Sequence, residues 1–185
     1  TPIPTNTPTR IPTPTPTIGA PPTLTPTPTS TGLPLPTATF TLPPAVTATL
    51  NFSQPPNYGS TALTSGFVPD PFTVGITSGG SVNVNYLGGG CTGFATIAPD
   101  FSVNYTSGAF PTLRFYFTGS GDSTMIINGP GGSYFCSDDS FGTLNPTIDF
   151  TSPSSGRYDV WIGSFSSGTF ISGTLSVTEN TGNHP

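Results

Sequence analysis

The chain has 185 residues, of which only 6% are charged, with three Arg, no Lys and a formal net charge of -5. That composition excludes nucleic acid as a partner, because phosphate binding needs clustered cations, and it argues against anionic lipid surfaces. The longest apolar runs are too short to span a membrane as a helix.

Polarity rests instead on Thr, Ser, Asn and Gly, which suits a glycosylated or assembled extracellular surface protein. The chain opens on Thr1 rather than Met, as expected of a removed signal segment or of a piece cut from a longer protein.

Residues 1–44 hold 14 Pro and 15 Thr, with TPTPT runs at Thr13–Thr17 and Thr25–Thr29. Proline fixes φ, removes donors and pushes the preceding residue into extended space, so the segment is predicted to be an extended polyproline-II tail. At about 3.1 Å per residue it would reach roughly 140 Å. A mucin-like stalk of this kind offers threonine hydroxyls to O-glycosylation, with Thr13, Thr15, Thr25 and Thr27 as candidates. A plain spacer has no need of apolar side chains. Ile3, Ile11, Ile18, Leu24 and Phe40 are therefore candidates for docking on neighbouring subunits.

Residues 45–70 form a transition, with Thr47–Phe52 and Ser60–Val68 expected as a strand, a linker or a packed connection. No charge occurs between Arg10 and Asp70. From 71 to 180 the pattern becomes short alternating segments bounded by Gly, Pro, Asn, Asp and Ser. Strands are predicted at Phe72–Thr77, Ser81–Leu87, Gly93–Ala98, Phe101–Tyr105 and Thr112–Thr118. Others follow at Thr124–Asn128, Gly132–Cys136, Thr147–Phe150, Arg157–Gly163 and Thr169–Thr178, leaving 181–185 as a tail.

Period-2 alternation puts Val82, Val84 and Tyr86 on one face, and likewise Leu113, Phe115 and Phe117, and Tyr158, Val160 and Ile162. Trp161 then points away from that core, toward a second sheet, a partner or a glycan. Many short strands at this spacing mean an all-β, jelly-roll-like β-sandwich.

The search for catalytic chemistry points to a non-enzyme. His184 is the sole histidine, beside a chain end expected to fray. No G-x-S-x-G elbow or phosphate-loop Lys occurs. Cys91 and Cys136 are too few for a zinc site. They read as a structural disulfide of an oxidising compartment, with a redox pair as the alternative.

Asp122, Asp138 and Asp139 sit in Gly/Ser-rich turns. Turn carboxylates can hold Ca²⁺, or can cap the turn through their own side chains. No other cofactor is expected. Sequons at Asn51 and Asn104 add two glycosylation candidates.

Gly121–Ile127, Asn128–Gly132, Tyr134–Asp139, Pro153–Gly163 and Gly173–Val177 together resemble the bacterial pre-peptidase C-terminal domain family, over about half the chain. The resemblance implies a secreted, non-catalytic, jelly-roll-like sandwich. Some relatives bind Ca²⁺, and Asp122, Asp138 and Asp139 are the matching positions. The tail is similar to Thr/Pro-rich linkers of secreted proteins.

Two functions are expected from these features. The first is an extracellular structural protein that assembles head-to-tail with copies of itself into a filament or layer. The alternative is a stalked accessory module of a secreted hydrolase, attached to polysaccharide, other glycans or a protein polymer.

Overall fold

The structure is a computed structural model that describes residues 47–185. Thr13, Thr15, Thr25, Thr27, Ile3, Ile11, Ile18, Leu24 and Phe40, and the Pro/Thr-rich segment predicted to be extended, lie outside the described residues.

Eleven strands form the described part: β1 (Ser60–Thr64), β2 (Phe72–Thr77), β3 (Val82–Asn83), β4 (Phe94–Ala95), β5 (Phe101–Thr106), β6 (Thr112–Gly119), β7 (Ser123–Asn128), β8 (Tyr134–Ser137), β9 (Thr147–Thr151), β10 (Gly156–Ser164) and β11 (Ser172–Thr178). They make an all-β sandwich of a seven-stranded sheet and a four-stranded sheet. The small sheet runs β2-β11-β6-β9. In the large sheet β10 is the hub. β5 and then β4 pair along one edge, from Gly156 to Ser164, while β7 pairs with Asp159–Ser164 along the other. β8 extends the sheet beyond β7, β3 beyond β4, and β1 beyond β5, the last as a parallel pair.

The alternation read on β6 and β10 places Leu113, Phe115, Phe117, Tyr158, Val160 and Ile162 in one core between the sheets. Aromatic edges knit it together: Phe150 meets Phe115 at 5.9 Å and Tyr158 at 4.9 Å, both nearly perpendicular.

A second apolar cluster, of Leu50, Val82, Val84, Ala95, Ile126 and Trp161, covers the outer face of the large sheet. Trp161 does point away from the first core, but it is fully buried, which rules out a surface role toward a partner or glycan. Residues 50–57 strap over it as a packed connection, not a strand. Leu50 donates its N–H to Tyr86 Oη at 2.8 Å, and Asn51 to the Ile97 carbonyl at 2.7 Å.

The predicted strand Ser81–Leu87 is cut short, because Val84–Leu87 winds into a 3-10 turn. Asn83 Oδ1 caps that turn by accepting from the Asn85 N–H at 2.9 Å. The turn swings Tyr86 out of the expected apolar face and leaves it exposed.

Cys91 and Cys136 are bonded, joining the β3–β4 connection to β8 under this same cluster. Closing a 45-residue separation should stabilise by about 4 kcal/mol on the chain-entropy account. A Cys91→Ser/Cys136→Ser double variant should lose a stability of that order in urea titrations. An unchanged midpoint would show the bridge to be passive.

Asp100, fully buried at the head of β5, continues the ladder where β5 leaves β10. Its carboxylate accepts from Ile162 N–H at 2.8 Å, Asn57 Nδ2 at 3.1 Å and Thr96 Oγ1 at 3.2 Å. Burial outweighs these three donors and raises its pKa from 3.8 to about 6. A raised carboxyl pKa favours the protonated folded state. The contribution is complete below pH 3.8 and fades as pH rises toward 6. Relative to Asp100→Asn, the wild-type chain should lose roughly 2 kcal/mol of stability between pH 4 and 7. Parallel pH profiles of the two proteins would refute this.

Candidate metal centre

The β6–β7 turn and the segment after β8 meet at one end of the large sheet, because β7 and β8 pair in antiparallel register from Asn128–Tyr134 to Met125–Ser137. Asp122 immediately precedes β7, and Asp138 and Asp139 immediately follow β8. The three predicted residues thereby converge, and one carboxylate oxygen from each lies within 4.8 Å of the others. Ca²⁺ binds oxygen at about 2.3–2.6 Å, so ligands facing one another across the ion stand roughly 5 Å apart. The spacing fits such an ion.

The neighbourhood is braced. Asn145 Oδ1 accepts from the Gly119 N–H at 3.0 Å and from Ser123 Oγ at 3.2 Å. Asn145 Nδ2 returns a bond to the Gly119 carbonyl at 3.3 Å. Ser140 Oγ donates within reach of both the Asn145 carbonyl and Thr147 Oγ1. Asn145 and Ser140 were not singled out in sequence, since a polar residue in a polar turn carries no distinguishing signal.

Phe141, at φ 52°, stacks on His184 with centroids 4.3 Å apart, and the Arg114 guanidinium lies 5.0 Å from its ring. His184 is therefore packed against the fold. Residues 181–183 are fastened by Arg114, which donates to the Thr181 and Asn183 carbonyls at 2.6 and 3.1 Å.

The electrostatics favour a cation. Asp122 Oδ1 and Asp138 Oδ1 are buried atoms with no hydrogen-bond partner among the described residues. Turn capping, the alternative role, leaves these two oxygens unexplained. Burial raises the pKa of Asp122, and the charge of Asp139 adds to it. Asp138 is raised by burial first, then by Asp139 and Asp122. Three carboxylates crowd one another without a counter-charge, which a divalent ion would supply.

The sequon residues Asn51 and Asn104 are both exposed, so both side chains face solvent. Asn104 borders a polar cleft of about 300 Å³ with Ser53, Gln54, Ser102 and Arg157.

No family model matches the chain, and no curated protein matches it. Among solved structures it is similar to the crystal structure of a periplasmic lysozyme inhibitor of g-type lysozyme from Aeromonas hydrophila. That likeness has 17% identity and a TM-score of 0.32, and it covers 64% of this chain and 96% of the other.

With Ca²⁺ at a hundred times its dissociation constant, the sandwich should gain about 2.7 kcal/mol. Thermal unfolding should then shift upward by several degrees, and a chelator should reverse it. Asp138→Asn should abolish the Ca²⁺ response and, in metal-free buffer, raise the melting temperature by relieving repulsion. Lower pH should weaken binding, because the raised carboxyls must lose their protons to ligate. Identical melting curves with and without Ca²⁺ would remove the metal from this site.

Proposed function

We propose that the chain is a non-enzymatic extracellular structural protein, a subunit that assembles with copies of itself into a surface filament or layer through its Pro/Thr-rich N-terminal segment. The observation that carries this reading is the surface of the sandwich. Eleven large hydrophobic side chains are exposed, among them Phe52, Phe110, Phe135, Phe165 and Phe170. Scattered apolar residues are ordinary on any surface. What is unusual is their combination with so little charge, since Arg114, Asp100, Asp159 and Glu179 are all buried. Few like charges remain to hold copies apart.

The disulfide supports export to an oxidising compartment. No helix among the described residues is long and apolar enough to cross a membrane. Ca²⁺ at Asp122, Asp138 and Asp139 would serve the fold by binding together the two segments that carry them, and threonine glycans would hydrate the N-terminal segment.

A second reading draws on the polar cleft beside Arg157 and on the resemblance to the pre-peptidase C-terminal family. It makes the sandwich a stalked accessory module that holds polysaccharide or a protein polymer.

Negative-stain microscopy and sedimentation of the full chain, beside a chain lacking residues 1–44, separate the two. Fibres or sheets should form from the full chain and not from the shortened one. Monomers at every concentration of both would overturn the assembly reading in favour of the accessory module.

A further inference from the structure

We propose that an aromatic groove between the β7–β8 and β9–β10 turns binds the Pro/Thr-rich segment of a second copy of this chain. The inference rests on the assembly reading and names its contact. The groove encloses about 200 Å³ and is lined by Phe135, Phe150 and Tyr158, with Pro130, Ser133 and Ser152 among its other borders. Gly129 and Pro130 also line an adjoining cleft of about 420 Å³. That second cleft differs in chemistry, because Arg157 and Asp159 line it.

The wall of the aromatic groove is rigid. Phe135 stands 4.9 Å from Phe150, and Phe150 stands 4.9 Å from Tyr158, each pair near perpendicular. Tyr158 Oη donates to the Ser154 carbonyl at 2.8 Å, which fixes the far turn against the wall. A Cβ on Gly156 would come within 2.7 Å of Pro130, so Pro130 is seated directly over that glycine. Such a surface loses little entropy on binding. Phe135 is nevertheless 42% exposed, the open end of a ladder that runs through half-buried Phe150 to buried Tyr158.

The chemistry of the aromatic groove selects one kind of occupant. Flat aromatic faces between prolines take extended polyproline-II segments, whose rings pack on the aromatics. Such segments bond none of their own carbonyls, so those groups can accept from the Ser133, Ser152 and Ser154 hydroxyls. No charged side chain lines the aromatic groove, so an acidic or basic peptide would find no counter-charge there. Residues 11–46 are uncharged and proline-rich, and they match that surface. A polyproline-II chain of that length, at about 3.1 Å per residue, would be long enough to reach a neighbour. A copy folding back on itself would end the assembly instead of extending it.

The test places a photoreactive benzoylphenylalanine at position 135 of the full chain, in a mixture of ¹⁴N- and ¹⁵N-labelled protein. Mass spectrometry should find cross-links to residues 1–46, about half of them between chains of different isotope. Cross-links within single-isotope pairs only would mean that the groove holds its own chain. Cross-links to sandwich residues would mean another face of a second copy, and no cross-links an empty groove. Each of these three results overturns the proposal. The same probe at Phe170, 66% exposed, should not capture the segment.

Sedimentation of Phe135→Ala and of Phe135→Leu, which keeps apolar bulk but loses the flat face, completes the test. Each should associate at least tenfold more weakly than wild type. Normal association of both variants would sink the groove while leaving assembly intact. A wild-type protein that never associates would sink both.

Discussion

Strand β10 has no free side. β5 and β4 close one edge and β7 the other, while one core covers its Tyr158–Val160–Ile162 face and another its Trp161 face. The second covering layer is not a sheet. It is the strap at residues 50–57, the 3-10 turn at Val84–Leu87, and the disulfide. Gly163 shows how tight the fit is: a Cβ there would run into Thr124 Oγ1. The two cysteines therefore act on the layer that a two-sheet sandwich would otherwise leave open to water.

The scarcity of charge has a structural counterpart. Four of the ten Arg, Asp and Glu residues among the described residues are buried. Arg114 is gripped by Asp149 through two 2.6 Å bonds, and it also fastens the C-terminal residues. Glu179 is buried and accepts from Tyr105 Oη at 2.6 Å and the Gly66 N–H at 2.7 Å. Asp159 accepts from Ser102 Oγ and Arg157 Nε, and the same Arg157 reaches the Phe52 carbonyl in the strap. These groups join segments far apart in sequence. Their strength comes from burial, where a charge must be met in full by donors or its neighbours pay in stability.

Much of the fold was legible in the sequence. Period-2 alternation marks β6 and β10 without ambiguity, and β2 lies where its residues predict it. The acid-bearing turns were legible too, since Gly-Asp and Ser-Asp-Asp stand at strand ends where side chains converge. The outer layer was not. Alternation says that Trp161 leaves the first core, but it carries no information about what waits on the other side. Asn83 redirects β3 through one side-chain bond that competes with the ladder, and a window average does not register that. Arg114 reads as a solvent-facing residue of an amphipathic strand. Only the fold reveals that the C-terminal residues come back over it. Asp100 and Glu179 are single carboxylates beside strands, indistinguishable in sequence from surface acids.

The parallel pairing of β1 with β5 has a mechanical consequence. A pull applied at Thr47 would first meet the strap, where Leu50 and Asn51 are each held by a single backbone donor, and these bonds would yield one at a time, as in peeling. Once these, the Arg157–Phe52 bond and the bonds of Asn57 and Tyr58 to the Pro99 and Asp100 carbonyls had gone, the load would arrive at Ser60 and run along the axis of β1. Its five residues in register with Ser102–Thr106 would then be sheared together. A strand loaded that way resists far more than one unzipped from its end. The N-terminal side of the sandwich is thus built with a soft section that extends first and a stiff one that holds.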